Sequence, residues 1–527
     1  MKISRLSSSA ASVLTLSMGL AQVLCLSMLV SLFAHAAPIA VHINSGDLAG
    51  ESLAAGGAVF KGIPYAAAPT GTKRWQSPQA VTAWPGTRAA TAYGAACAQP
   101  AQGWNDSVVA SMSEDCLYLN VWTPAVKPKI RLPVMVWIHG GAFTGGAGTD
   151  AIFAGEELVK KGVVLVTLNY RLGIFGFYAH PELTHESVHR SSGNFALEDQ
   201  MAALQWVRDN IAAFGGDAGK ITVFGQSAGG MSVVTLLASP LMKGKFQRAI
   251  VESGAILGGP PMKRLKDAET LGTEFMGADS LQSLRGLSAT ELLKRFGSFM
   301  PTHRESRMGP VIDGYVLSAD PSEVFRQHQE HKVPLIIGNN AREGFGRLSE
   351  DALANAIRQF YGADAAAALT LYAVPDPVLG TPAAQWLTDT SFRCSAIVMA
   401  ARHAGGGAPV YSYQFEQSLP GRESDGAAHS YELPYVFGNL LASGALAGPF
   451  SAADRQLSNV MLSYWTNFAK HGDPNGAGLP VWHKFGAAAG SYIRFSSTLP
   501  QNAQPAEGLR KPQCQMFEAK LAKAESP

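Results

Sequence analysis

The stretch Phe224-Gly225-Gln226-Ser227-Ala228-Gly229-Gly230 constrains this chain more than any other. Ile221 to Phe224 reads as a buried strand. Val233, Val234, Leu236 and Leu237 continue on the far side as a helix. Only a sharp turn fits between them, and Gly225-x-Ser227-x-Gly229 is the pattern of a nucleophile elbow, with a serine on a strained strand-to-helix turn. The glycines leave room for the turn and for close helix packing. The helix N-terminus points backbone N–H groups and partial positive charge at the serine. The pentapeptide also fits a Gly-rich turn with a capping serine, so its surroundings decide between the two.

The flanking periodicity is that of an α/β chain with a mainly parallel sheet. Val134-Met135-Val136-Trp137-Ile138 and Val163 to Leu168 are almost continuously apolar, as in strands buried on both faces. Leu197 to Phe214 reads as an amphipathic helix with Met201, Leu204, Val207 and Ile211 on one face. Ala249 to Val251, Val333 to Gly338 and Pro409 to Phe415 continue the strand series. Ile39 to Tyr65 and Cys116 to Trp122 suit antiparallel strands. Residues 261–300 interrupt the rhythm with helical sequence and are expected to form a cap or pocket wall. Further helices are expected over 351–361, 383–404, 454–470 and 511–523. No internal repeat is visible.

The first 36 residues have the layout of an export signal. Lys2 and Arg5 precede an uncharged, mostly apolar run from Ala10 to Ala34, and Ala34-His35-Ala36 is a small-x-small cleavage site. The run is also long enough for an uncleaved anchor. Cleavage leaves residues 37–527 as the catalytic domain. The 42 basic and 40 acidic residues give a net charge of +2. Taking away Lys2 and Arg5 leaves equal numbers, so charge gives no reason to expect nucleic acid or anionic membrane as partner. Hydrophobic residues make up 47% and charged residues 16%, which excludes a disordered chain. Beyond the leader four cysteines remain, Cys97, Cys116, Cys394 and Cys514. In an exported protein they suggest two disulfides, with three pairings open. A Cys97–Cys116 bridge would contribute about 3 kcal/mol through loop entropy. No Cys/His group has zinc spacing, and neither a P-loop nor a dinucleotide fingerprint occurs. No metal and no cofactor are expected.

A serine becomes nucleophilic when a histidine takes its proton and a carboxylate orients that histidine. On this architecture the order along the chain is serine, acid, histidine, each on a loop after a strand. Glu343, just past the strand ending at Gly338, fits the acid, beside Asp313, Asp320 and Asp351 on position alone. His429, in the polar loop after Phe415, fits the base. His139 is its strongest rival, but it precedes the serine and abuts Gly140 and Gly141. His471 reads as a helix C-terminal cap. Ala228 would give one N–H to an oxyanion hole. Gly140, Gly141 and Ala142 are small enough for their amides to give the rest, each worth about 3 kcal/mol of barrier.

These residues resemble the type-B carboxylesterases, the cholinesterase-related group of the α/β-hydrolase fold. Phe60-Lys61-Gly62-Ile63-Pro64-Tyr65-Ala66 resembles the family's early segment. Glu114-Asp115-Cys116-Leu117-Tyr118-Leu119-Asn120-Val121-Trp122-Thr123-Pro124 resembles its second signature. Gly193-Asn194-Phe195-Ala196-Leu197-Glu198-Asp199-Gln200 and Phe214-Gly215-Gly216-Asp217 resemble the approach to its elbow. The resemblance implies a large central sheet flanked by helices, and hydrolysis of small carboxylic esters through an acyl-enzyme. It implies Ser227 as nucleophile, Glu343 as acid, His429 as base, and Gly141, Ala142 and Ala228 as oxyanion amides. It also implies Cys97–Cys116 and Cys394–Cys514 pairs, and Ser253 as a serine supporting the triad, where a simple strand-end cap is the other reading. Three positions depart from the family pattern: Gln226 stands where glutamate is usual, Arg342 where aspartate is frequent, and Ala142 where a third glycine is common. The first two remove negative charge, so weak preference for cationic substrates is expected. The 18 residues between Cys97 and Cys116 leave little for a lipase-type lid. Trp104 within them either lines the site or packs under the loop. Lipase-type action on long chains and a non-catalytic adhesion module of the same fold are the competing readings. The complete Ser227–His429–Glu343 set argues against the second.

Overall fold

Val134 to Ile138, Val164 to Leu168, Ile221 to Phe224 and Ala249 to Val251 are almost wholly apolar, and all of these residues are buried. The computed structural model describes residues 39–257, 262–302, 308–344, 348–486 and 489–525. The expected leader lies outside them. Twelve strands form one continuous path: β1 Ile39–Ile43, β2 Gly46–Ser52, β3 Ala58–Pro64, β4 Tyr118–Thr123, β5 Leu132–Ile138, β6 Val164–Leu168, β7 Gly216–Gln226, β8 Arg248–Glu252, β9 Leu335–Asn340, β10 Val410–Phe415, β11 Ser491–Phe495 and β12 Ala503–Glu507. Their spatial order is β1-β2-β3-β4-β6-β5-β7-β8-β9-β10-β11-β12, and Thr87–Ala89 adds a thirteenth strand against β2. From β6 through β5, β7, β8, β9 and β10 to β11 every pairing is parallel. β2, β3, β4 and β6 pair antiparallel in succession, and so do β11 and β12. The parallel strands therefore deliver their following loops to one edge of the sheet, where sites form in open α/β sheets.

The helices that matter for the site are α1 Phe195–Asn210, α2 Ala228–Ala238, α3 Cys394–Gly405, α4 Ala452–His471 and α5 Lys511–Glu525. One face of the sheet carries a large aromatic core. Trp137 lies 4.8 Å from Phe224 and 4.9 Å from Phe437, ring to ring. Trp465 of α4 and Trp482 pack with Tyr413 and Phe495. Residues 265–299 form three helices, Leu265–Met276, Leu281–Gly286 and Ala289–Phe299, whose Phe275, Leu284 and Phe296 join Trp75, Phe175, Tyr178 and Phe195 in one apolar cluster. Ser288 and Glu291 close the last of these with a reciprocal capping box.

Two elements differ from the sequence expectation. The helix over 383–404 is interrupted by a π-turn at Asp389–Arg393, between Pro382–Thr388 and α3. Periodicity cannot register the extra residue, because the apolar faces on both sides still point to the core. The strand expected over 333–338 runs from Leu335 to Asn340. Polar Asn339 and Asn340 ended the apolar run but still pair with Gln414 and Phe415. The disulfides are Cys97–Cys116 and Cys394–Cys514, the latter tying α3 to α5. Among the described residues no helix is long and apolar enough to cross a membrane.

Candidate active site

The elbow forms because β7 and α2 are forced close together. Ser227 sits between them with φ 55° and ψ −123°, a strained conformation for a residue with a side chain. Its N–H donates to the Glu252 carbonyl at 2.9 Å, and its carbonyl accepts from Met231 at 2.8 Å. A methyl group at Gly229 would lie 1.9 Å from the Ile138 carbonyl oxygen, and one at Gly225 would lie 2.5 Å from the Gly229 carbonyl carbon. Glycine at these two positions is a steric requirement of the turn.

The loop after β5 lies against the elbow. A methyl at Gly140 would be 3.1 Å from Ser227 Cβ and 2.9 Å from Gln226 Oε1. Gly141, Ala142 and Phe143 all have positive φ, at 108°, 55° and 61°, which turns successive amides out of the strand direction. Among the described residues the N–H groups of Gly141 and Ala142 have no acceptor within the chain. The loop is fixed from outside by Gln99, whose side chain donates to the Gly146 carbonyl at 2.9 Å and accepts from the Gly146 N–H at 2.7 Å. Trp104 covers it. Methyls at Gly141 and Gly145 would both lie 3.0 Å from its indole, and Trp104 is 45% exposed.

The loops that carry Glu343 and His429 are joined to each other. β9 and β10 are neighbours, and the loops that leave them pair once more, at Arg342 and Ala428. Arg342 N–H donates to the Ala427 carbonyl at 3.0 Å, and Asn340 Nδ2 donates to that of Ala428 at 2.7 Å. This juxtaposes Glu343 and His429, whose Oε2 and Nδ1 are 2.6 Å apart. The other Glu343 oxygen accepts from the Asn340 N–H at 2.5 Å and from Ser253 Oγ. Glu343 is buried with all its donors in place. On the far edge of the imidazole, Nε2 lies 3.2 Å from Gln226 Nε2, on the residue preceding Ser227, and that amide also donates to Ser430 Oγ at 3.1 Å. Burial opposes a proton on His429. The carboxylates of Glu343 and Glu432 outweigh it and hold the imidazole above its ordinary pKa.

The structure thus brings Ser227, Gln226, His429, Glu343, Ser253, Gly140 and Gly141 into one cluster. The other candidate acids have other structural places: Asp313 accepts from Tyr315 and Leu317 amides, Asp320 caps the helix Pro321–Arg326, and Asp351 lies in the first turn of the helix Glu350–Tyr361. His139 is buried, stacked on Tyr170 at 4.4 Å, and donates Nδ1–H to the Gly140 carbonyl at 2.8 Å. Burial lowers its pKa to about 4. It is a neutral support for the loop after β5. Arg342 donates to the carbonyls of Pro377 and Val378, so its charge is committed to a turn. Sequence reasoning missed Asn340, Glu432 and Glu252. Only Glu252 carried a signal, as a carboxylate ending an apolar strand. Among the described residues no group of acidic, histidine or cysteine side chains could hold a metal ion.

The profile of the carboxylesterase family matches residues 37–371 and 379–517. The chain is 38% identical over 475 residues to the fumonisin B1 esterase of Sphingopyxis macrogoltabida, covering 86% of each. It is 37% identical over 454 residues to the para-nitrobenzyl esterase of Bacillus subtilis, covering 81% of this chain and 89% of that one. Among solved structures, a thermophilic para-nitrobenzyl esterase superposes with a TM-score of 0.79 at 34% identity, covering 91% and 99%. A carboxylesterase of Geobacillus stearothermophilus does so with a TM-score of 0.79 at 33% identity, with the same coverage. The architecture is the α/β-hydrolase fold.

Proposed function

The chain belongs to the carboxylesterase family and is a carboxylic ester hydrolase; from that premise we propose that it works through a serine acyl-enzyme. Ser227 Oγ attacks the ester carbonyl while His429 Nε2 takes its proton. Glu343 holds the imidazole in the Nδ1–H tautomer and stabilises the imidazolium. The amides of Gly141, Ala142 and Ala228 hold the oxyanion. His429 then returns the proton to the leaving alcohol, and water repeats the sequence on the acyl-enzyme. The observation that carries this reading is the 2.6 Å contact of His429 with Glu343, formed while the opposite imidazole edge faces the strained Ser227 turn.

The substrate we propose is a small, dispersed ester. A loop tied by Cys97–Cys116 and by the paired Gln99–Gly146 hydrogen bonds is poorly suited to swing open at a lipid interface. The fumonisin B1 and para-nitrobenzyl esterases are named for ester substrates of limited size. With the basic-apolar leader, the two disulfides support an exported enzyme, whose N-terminal sequence after cleavage would begin at Ala37.

Ser227→Ala is the deciding experiment. The variant is expected to lose p-nitrophenyl acetate turnover and covalent labelling by a fluorophosphonate, with thermal stability kept. Turnover at the wild-type rate by that variant would remove the proposal. A chain-length series in the wild type should peak at short acyl groups, and a maximum at long chains above their solubility limit would favour lipase-type action.

A further inference from the structure

Behind Glu343 lies a second group of buried acids that the triad chemistry leaves unused. Glu252 ends β8, Gly338 lies opposite it in β9, and Tyr413 lies opposite Gly338 in β10. A methyl at Gly338 would be 2.3 Å from the Tyr413 ring, so the bare glycine is the slot the ring occupies. Trp465 of α4 closes the space, 5.4 Å from the Tyr413 ring, and its Nε1 donates to Glu252 Oε1 at 2.7 Å. Glu432, three residues after His429, enters from the base loop, and its Oε2 accepts from Asn340 Nδ2. Glu252, Glu432, Tyr413 and Asn340 are fully buried. Four of their oxygens, Glu252 Oε2, Glu432 Oε1, Asn340 Oδ1 and Tyr413 Oη, have no hydrogen-bond partner among the described residues.

Among the described residues, the charged and titratable groups facing this cluster are Glu343, His429, Tyr413 and the two glutamates themselves. Three carboxylates thus share one potential cation. Asn340, Ser253 and His429 all donate to Glu343. Glu252 and Glu432 have one donor each among the described side chains. Two bare anions so placed would be prohibitively costly. A single proton relieves the repulsion, and shared between Glu252 Oε2 and Glu432 Oε1 it would also give each unpartnered oxygen a partner.

We propose that Glu252 and Glu432 form an acid–carboxylate pair with one proton, and that the charge left on Glu432 sets the proton affinity of the base, His429. Glu252 keeps the proton, since its side-chain donor is an indole and, among the described residues, no cation faces it. Glu432 carries the charge, since it faces His429. Neither touches substrate, so both are positioning residues. The directions of the pKa shifts agree. Burial and then Glu432 push Glu252 well up, burial and then Glu343 push Glu432 up to about 7, and Glu432 in turn favours the proton on His429.

The inference rests on His429 as the base, and its test has a readout independent of that reading. Difference infrared spectroscopy at about pH 8 should show the carbonyl stretch of a buried protonated acid, lost in Glu252→Gln. In the pH profile of kcat/KM, Glu432→Gln removes the charge that favours the imidazolium. The acid limb should then move down by about half to one pH unit, a gain of about three- to tenfold at a pH below the limb. Glu252→Gln still offers an N–H to Glu432 and should leave the limb in place. Glu252→Leu removes that donor, forces the proton onto Glu432, and should move the limb as Glu432→Gln does, with no further shift when the two are combined. Equal shifts from the two glutamine variants, or no protonated-acid band in the wild type, would overturn the pair. Full turnover by Ser227→Ala with the infrared pattern intact would instead remove the triad and leave the pair standing.

Discussion

Replacing His139 by asparagine separates structure from catalysis at the loop proposed to hold the oxyanion. The His139 ring is 1% exposed, stacks on Tyr170, and spends its Nδ1–H on the Gly140 carbonyl. Its Nε2 has no partner among the described residues, so nothing there stabilises a second proton. Burial therefore lowers its pKa from 6.5 to about 4. The unfolded chain takes up a proton on this residue near pH 6.5 and the folded chain only near 4. Stability contributed by this group is thus complete above 6.5 and falls as pH falls through that window. At about pH 5 the loss is near 1.5 pKa units, or about 2 kcal/mol, and below pH 4 it reaches about 3 kcal/mol. In His139→Asn the new side chain keeps an N–H for the Gly140 carbonyl and does not titrate. Urea unfolding followed by tryptophan fluorescence at about pH 7.5 and 5 gives the comparison. The wild type should lose about 2 kcal/mol more than the variant over that interval, whatever the variant costs at neutral pH. Parallel losses would show that His139 is not held neutral by burial. Neutral-pH activity should persist in the variant, whereas His429→Asn should lower kcat by about six orders of magnitude.

Three other changes bear on the same site. Gln226→Glu places a carboxylate where an amide now lies 3.2 Å from His429 Nε2, and should raise the acid limb of kcat/KM by about one pH unit; an unmoved limb would contradict the placement. Gly229→Ala sets a methyl 1.9 Å from the Ile138 carbonyl, with backbone on both sides, and should abolish soluble folded protein, which circular dichroism and gel filtration check. Trp104→Ala uncovers Gly141 and Gly145, and should raise KM for aryl esters by about tenfold while changing that for ethyl acetate little.

The fold was readable where burial is two-sided. Val134 to Ile138 and Val163 to Leu168 have no polar face, so their sequence leaves almost no alternative to central strands. The elbow was readable because Gly225 and Gly229 answer local steric demands. Readability fails where a partner is distant in the chain. Asn340 looked like the polar end of a strand, and its value comes from Ala428 and Glu432, 88 and 92 residues away. Trp104 had two equal readings, because only the path of the oxyanion loop decides what its indole meets. Arg342 looked like a charge near the acid, and its guanidinium is turned away to the carbonyls of Pro377 and Val378.

These distant partnerships follow from one local fact, the adjacency of β8, β9 and β10. Ser253, Glu343 and His429 follow three neighbouring parallel strands, so a separation of 86 residues between acid and base becomes one interstrand step. The same adjacency aligns Glu252, Gly338 and Tyr413 one layer deeper. An acid placed there cannot avoid acting on the base, because low-dielectric protein separates them and little water screens the charge. The proton affinity of His429 is therefore a property of three strand ends together. Glu252→Leu should be felt at His429 even though Glu432 stands between them, and the Glu252→Leu/Glu432→Gln combination is where that transmission is either seen as non-additive or shown to be absent.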